Sequence, residues 1–112
     1  MIESKIIDLL NSLMPDPAYG QIPDTIPDKF AVIRLIAHSR RNMIDAATVD
    51  IHCYAKSKAQ AEAYAGEVEN IVLGMSSLPE VSSVKIGGLE ARNDTAFGLP
   101  RYELTVNVWY YS

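Results

Sequence analysis

Two stretches of the chain alternate apolar and polar residues with a period of two, and this pattern constrains the fold most. The apolar positions are Val49, Ile51, Cys53 and Ala55 in the first stretch, and Tyr102, Leu104, Val106, Val108 and Tyr110 in the second. Successive side chains of a strand point to opposite faces, so each stretch predicts a strand with one buried and one polar face. The apolar run 30–37 predicts a hairpin partner for the first strand, and 81–91 predicts a fourth strand.

Two segments show helical periodicity instead. Residues 2–14 carry apolar side chains at three- and four-residue spacing until Pro15 ends the pattern. A second helix is predicted after Ser57, which together with Gln60 forms a capping box, and it must stop before Pro79. The intervening segment 15–27 contains four prolines and Gly20, and it is therefore interpreted as a loop.

The predicted order is α-β-β-α-β-β. Strands that arrive in pairs favour an α+β fold, with a four-stranded, mainly antiparallel sheet and two helices packed on one face. A length of 112 residues with 48% apolar and 21% charged residues suits one globular domain over residues 1–112.

Charge and cysteine content argue against several classes of partner. A net charge of −4 does not suit a surface that neutralises phosphates, so no nucleic-acid binding is expected. Cys53 is the only cysteine, which excludes an internal disulfide and a thiolate zinc cluster. The sequence shows neither a signal peptide nor a stretch of membrane-spanning length, so synthesis in the cytoplasm and no membrane contact are expected.

No group of residues predicts catalysis, a cofactor or a metal. His52 and Cys53 are adjacent on a strand, so their side chains point apart and cannot form a nucleophile–base pair. Metal binding at His52 would need further ligands that converge from elsewhere. Gly87-Gly88 lacks the context of a phosphate loop and predicts a bulge. We therefore expect no enzyme, although a glycosidase-like carboxylate pair stays open.

The polar faces of the alternating strands predict an interface instead. If both lie on the same side of the sheet, that side combines large aromatic residues with hydrogen-bonding groups, as interfaces do. The basic pair in the polar stretch 38–42 is a candidate prong that contacts a partner. The alternatives are a solvated face and a solvated hairpin tip. The candidate interface residues are Arg40, Arg41, Asp50, His52, Tyr54, Asn107, Trp109 and Tyr111.

The order and spacing of these elements resemble the tail-terminator, or tail-completion, proteins of long-tailed bacteriophages. In that family a short helix leads through a Pro-rich loop to a strand pair, an alanine-rich helix follows, and a last strand closes the sheet. Here the likeness lies in Ala47–Ser57, which runs into the alanine-rich 59–63, and in the terminal Arg101–Val108.

The resemblance implies a structural virion protein made in the host cytoplasm. Such proteins form a ring, commonly a hexamer of identical subunits, that ends the tail tube and faces the head connector. The tail-tube protein and the head–tail connector protein would then be partners, with contacts through loops 15–28, 38–45 and 92–100. Alternatives are another head–tail joining protein, or a regulatory α+β domain that binds a small molecule in a concave pocket.

Overall fold

The computed structural model describes residues 2–93 and 98–111, apart from the side chain of Asn93. Within them the chain forms two α-helices, a 3-10 turn and five strands. In chain order these are α1 (Ile2–Leu13), β1 (Ala18–Tyr19), β2 (Phe30–Arg41), β3 (Ile44–Tyr54), α2 (Lys58–Leu73), the 3-10 turn (Gly74–Ser77), β4 (Val81–Asn93) and β5 (Pro100–Tyr111). The order across the sheet is β1-β2-β3-β5-β4. Strand β1 runs parallel to β2, and the other neighbours are antiparallel.

The predicted four-stranded sheet is wrong, because the Pro-rich segment supplies a fifth strand and makes the sheet mixed. Ala18 pairs with Ala31, whose N–H donates to the carbonyl of Pro17 at 3.1 Å. The side-chain amide of Asn11 on α1 bonds to both backbone groups of Ala18: Oδ1 accepts from the N–H at 2.9 Å, and Nδ2 donates to the carbonyl at 3.2 Å. One helix side chain therefore positions β1 beside β2. The α+β class itself is confirmed.

Both helices pack on the same face of the sheet. Their apolar stripes, which include Ile6, Leu10, Tyr64 and Val68, meet the buried side chains of β2, β3 and β5 in one cluster. Burial of these side chains removes apolar surface from water, which is the main force that holds such layers together. We call the opposite, helix-free side of the sheet the outer face.

Helix α2 begins as its sequence predicts. The Ser57 hydroxyl oxygen accepts a hydrogen bond from the N–H of Gln60 at 3.2 Å, which satisfies one of the free donors of the first turn. The helix ends at Leu73, and the 3-10 turn carries the chain on towards Pro79. In the part of the chain that the structure covers, no helix is long and apolar enough to cross a membrane.

The β2–β3 hairpin is longer than the sequence indicated. The polar stretch 38–42 is mostly strand, and a two-residue turn at Asn42 and Met43, both with positive φ, joins the two strands. Residue Ile36 interrupts the register as a bulge. Residues 37–46, most of them exposed, form what we call the hairpin arm of a molecule that measures 44 × 24 × 24 Å.

Candidate functional site

The register brings the predicted polar strand faces together on the outer face. Strand β3 lies directly beside β5, so that each polar residue of one strand faces a polar residue of the other. The facing pairs are Thr48 with Asn107, Asp50 with Thr105, His52 with Glu103, and Tyr54 with Arg101. Cross-strand neighbours of this kind interact and stabilise a sheet. The expected common face therefore exists, while its role as an interface stays a prediction.

Hydrogen bonds fix most of these side chains in place. The Thr48 hydroxyl donates to Asn107 Oδ1 at 2.8 Å, and the Thr105 hydroxyl donates to Asp50 Oδ1 at 3.0 Å. Arg101 donates to the Tyr54 hydroxyl at 3.3 Å. A surface ordered in this way before it meets a partner loses little side-chain entropy on binding.

Tyr54 is buried in the isolated chain. Its ring stacks on Phe30 with centroids 4.6 Å apart, and with Val32 the two form a second apolar cluster. Tyr19 and Ile26, from the Pro-rich segment, pack against this cluster. The Pro-rich segment therefore supplies cover for one end of the outer face, so Tyr54 could meet a partner only after that cover moves.

Trp109 lies towards the other end, beside the hairpin arm. It is half-buried and faces Ala46 across β5 and β3, while Tyr111 faces Ile44 and is exposed. Two shallow concavities of about 180 and 370 Å³ lie against Trp109. A large amphipathic ring beside small residues and open concavities is a typical anchor position for a protein partner.

The basic pair of the arm divides between the two faces of the sheet. Arg40 faces Asp45 on the helix side, and its Nε and Nη2 donate to the two carboxylate oxygens at 2.7 and 3.2 Å. His38 Nε2 lies 3.3 Å from the same carboxylate. The hydrogen bond from Arg40 lowers the pKa of the buried Asp45. Only Arg41 of the pair lies on the outer face, where it lines one of the concavities at Trp109.

A larger cleft of about 460 Å³ separates the Pro-rich segment from the sheet. His52 lines it together with Arg34, Tyr54 and Arg101. His52 is only 9% exposed, and burial lowers its pKa, an effect that the Glu103 carboxylate partly opposes. One nitrogen of His52 and one oxygen each of Asp50 and Glu103 lie within 4.8 Å of one another. Sequence patterns do not predict this convergence, because Glu103 meets His52 only through the pairing of β3 with β5.

Cys53 points to the helix side and is fully buried. Burial alone raises the pKa of its thiol to about 12, so the reactive thiolate does not form at neutral pH. The structure also separates Cys53 from His52, which is on the outer face. A cysteine–histidine nucleophile is therefore not present at this position.

Comparison with known proteins identifies the fold. Neither the protein-family models nor the curated protein sequences contain a match to the chain. A chain of the solved virion of a native gene transfer agent (GTA) particle has the same fold. It is similar over 96% of this chain and 84% of its own length, with a TM-score of 0.61 and 14% sequence identity. At that identity the likeness concerns the fold alone.

Proposed function

We propose that this chain is a structural subunit of a phage-like virion, which forms a ring at the end of the tail tube and joins the tube to the head connector. Two arguments of different kinds support the proposal. The fold resembles that of a chain from the virion of a gene transfer agent particle. In the described part of the chain, the sheet has an unpaired strand edge on each side, and this observation supports assembly with further copies of the chain.

Strand β4 forms one open edge, because among residues 2–93 and 98–111 only β5 pairs with it. Strand β2 forms the other, because β1 covers it only at Ala31 and Val32. The N–H of Ala31 points to β1, and backbone groups alternate along a strand. The N–H of Ile33 also points to β1, where its register places it against Tyr19. The backbone groups of Leu35 lie beyond β1 and point to the open side, and those of His38 and Arg40 do so beyond the bulge. Open edges of this length are templates for pairing with another strand.

The two edges are formed by different strands on opposite sides of the sheet, so pairing β2 of one copy with β4 of the next is a heterologous contact. Contacts of this kind close into rings when the rotation between copies permits, and otherwise grow into filaments. Each edge also exposes one large apolar side chain, Ile36 on β2 and Leu89 on β4. Bulges and charged residues on both strands restrict pairing to a matching edge.

The solution mass of the isolated protein, measured by light scattering over a range of concentrations, tests the assembly. We expect a discrete oligomer, a hexamer by the family resemblance, either alone or after addition of the tail-tube protein. Ile36→Lys places a charge on the open edge and should weaken each contact. Ile36 is 56% exposed, so its full burial contributes about 1–1.5 kcal/mol, roughly a tenfold change in affinity per contact.

Leu13→Lys is the matched control, because Leu13 is 61% exposed but lies on α1 and belongs to neither edge strand. A monomer at every concentration, with and without tube protein, would contradict the ring. The terminating role has its own readout, the length of tubes in electron micrographs when tube protein polymerises with this protein present. Tubes of unchanged length, together with binding to the connector, would instead indicate another head–tail joining role.

A further inference from the structure

We propose that Asp50, His52 and Glu103 bind a divalent cation of the zinc type on the outer face. The site lies within one chain and does not depend on the ring proposed above. Asp50 and His52 are two positions apart on β3, which places them on the same face, and Glu103 lies directly opposite His52 on β5. One imidazole nitrogen and two carboxylate oxygens are ligands that zinc accepts, with its remaining position open to water.

The histidine supplies the evidence that distinguishes this group from an ordinary polar cluster. His52 is more than nine-tenths buried, yet within residues 2–93 and 98–111 no hydrogen-bonding partner reaches its ring. Neither ring nitrogen is among the fully buried side-chain atoms without a partner, so the ring opens to the cleft that His52 lines, where an ion can reach it. A ring nitrogen of His52 lies within 4.8 Å of both carboxylate oxygens. A cation between them satisfies the histidine.

Each carboxylate is already oriented through one of its oxygens. The Thr105 hydroxyl donates to Asp50 Oδ1, while Arg101 and Arg92 contact Glu103 Oε2 at 2.8 and 3.8 Å. Among the residues that the structure describes, these contacts leave Asp50 Oδ2 and Glu103 Oε1 for an ion. Outer partners that hold a ligand in place are typical of metal sites. The cleft that His52 lines gives an ion and its water ligands a path of entry.

The distances require only a small adjustment. Tetrahedral bonds of about 2.0–2.2 Å place the ligand atoms of one ion roughly 3.3–3.6 Å from one another. A pair at the present limit of 4.8 Å therefore has to close by about 1.2–1.5 Å, which rotation of the Asp50 and Glu103 side chains can supply. The positive charge of Arg101 opposes the cation, and this makes moderate rather than very tight binding the expectation.

Calorimetric titration of the metal-free protein with Zn²⁺, and with Co²⁺ followed by its visible absorption, tests the site. We expect one saturable ion per chain and a rise in melting temperature of several degrees at a hundredfold excess over the dissociation constant. Glu103→Gln keeps the shape of the side chain and should weaken binding at least tenfold. His52→Ala should abolish the Co²⁺ absorption band.

His38→Ala is the matched control, because His38 is the other histidine and lies on the hairpin arm beside Asp45. Binding should survive this change. The proposal is overturned if the protein binds no ion up to millimolar Zn²⁺, if Glu103→Gln binds as well as the unchanged chain, or if His38→Ala removes the binding. Because Glu103→Gln alters no buried apolar contact, its result holds even if His52→Ala folds poorly.

Discussion

The turn at the tip of the hairpin arm makes a sharp prediction about stability. Asn42 and Met43 both have positive φ, 52° and 67°, as a two-residue turn of this hand requires. Asparagine adopts this conformation readily, but for an ordinary side chain such as methionine the left-handed region costs about 1–2 kcal/mol. Met43→Gly should therefore stabilise the isolated chain.

The size of the gain follows from two opposing effects. Glycine removes the conformational penalty, but it also gives the unfolded chain more freedom, which costs about 0.5–1 kcal/mol. Met43 is 75% exposed, so the loss of its side chain removes little packing. The net gain should be about 0.5–1 kcal/mol in the free energy of unfolding. In a domain of this size that gain raises the melting temperature by about 2–6 °C.

Urea and thermal unfolding, followed by circular dichroism at concentrations where the protein is monomeric, measure this change. Asn42→Gly is the control and should gain much less, because asparagine already tolerates the conformation. The reasoning is refuted if Met43→Gly is no more stable than the unchanged chain, or if Asn42→Gly gains more. A stabilised Met43→Gly that also assembles poorly would show that the methionine serves a contact between subunits.

Two further predictions concern single interactions. Ser57→Ala removes the hydrogen bond to the N–H of Gln60 and should lower the free energy of unfolding by about 1 kcal/mol, whereas Ser57→Asp should retain it; equal stability of all three chains in urea would contradict the cap. Asp45 binds protons less readily when folded, since Arg40 lowers its pKa from 3.8. The ionised carboxylate of Asp45 therefore stabilises the fold above pH 3.8, and this contribution is lost as the pH falls through the lowered pKa. Asp45→Asn should consequently make the free energy of unfolding less dependent on pH in acid.

The long elements could be predicted because each has a periodic pattern that tertiary packing reinforces. The apolar stripe of α1, the cap at Ser57 and the alternation along β3 and β5 all correspond to buried faces. Strand β1 could not be predicted in this way. Two residues are too short for a period, and the strand exists because Asn11 and the backbone of β2 satisfy its polar groups.

The hairpin arm was missed for a related reason. Its residues are largely exposed on both faces, so the hydrophobic pattern that marks a strand is absent from 38–42. Pairing with β3 holds it instead, and the buried carboxylate of Asp45 forms an ion pair with the exposed side chain of Arg40. The predicted contact loop 38–45 is therefore mostly strand, while positions 94–97 of the predicted loop 92–100 lie outside the described residues.

The candidate site shows the same limit more strongly. Alternation was enough to predict that Asp50 and His52 share a face, but the partner of His52 depends on the register between β3 and β5. A shift of one residue would have moved Glu103 to the helix side and removed the third ligand. Register is fixed by the packing of whole strands, so no local pattern in the sequence could place the carboxylate.

The ring and the cation site can be tested separately because they occupy different strands. The proposed contacts between copies use the open edges of β2 and β4, whereas the cation ligands lie on β3 and β5, in the interior of the sheet. Ile36→Lys should therefore weaken assembly without a change in zinc affinity, and Glu103→Gln should weaken zinc binding without a change in assembly. If either variant changed both properties, the ion would have to influence the edges through the sheet, and the two sites would form one coupled system.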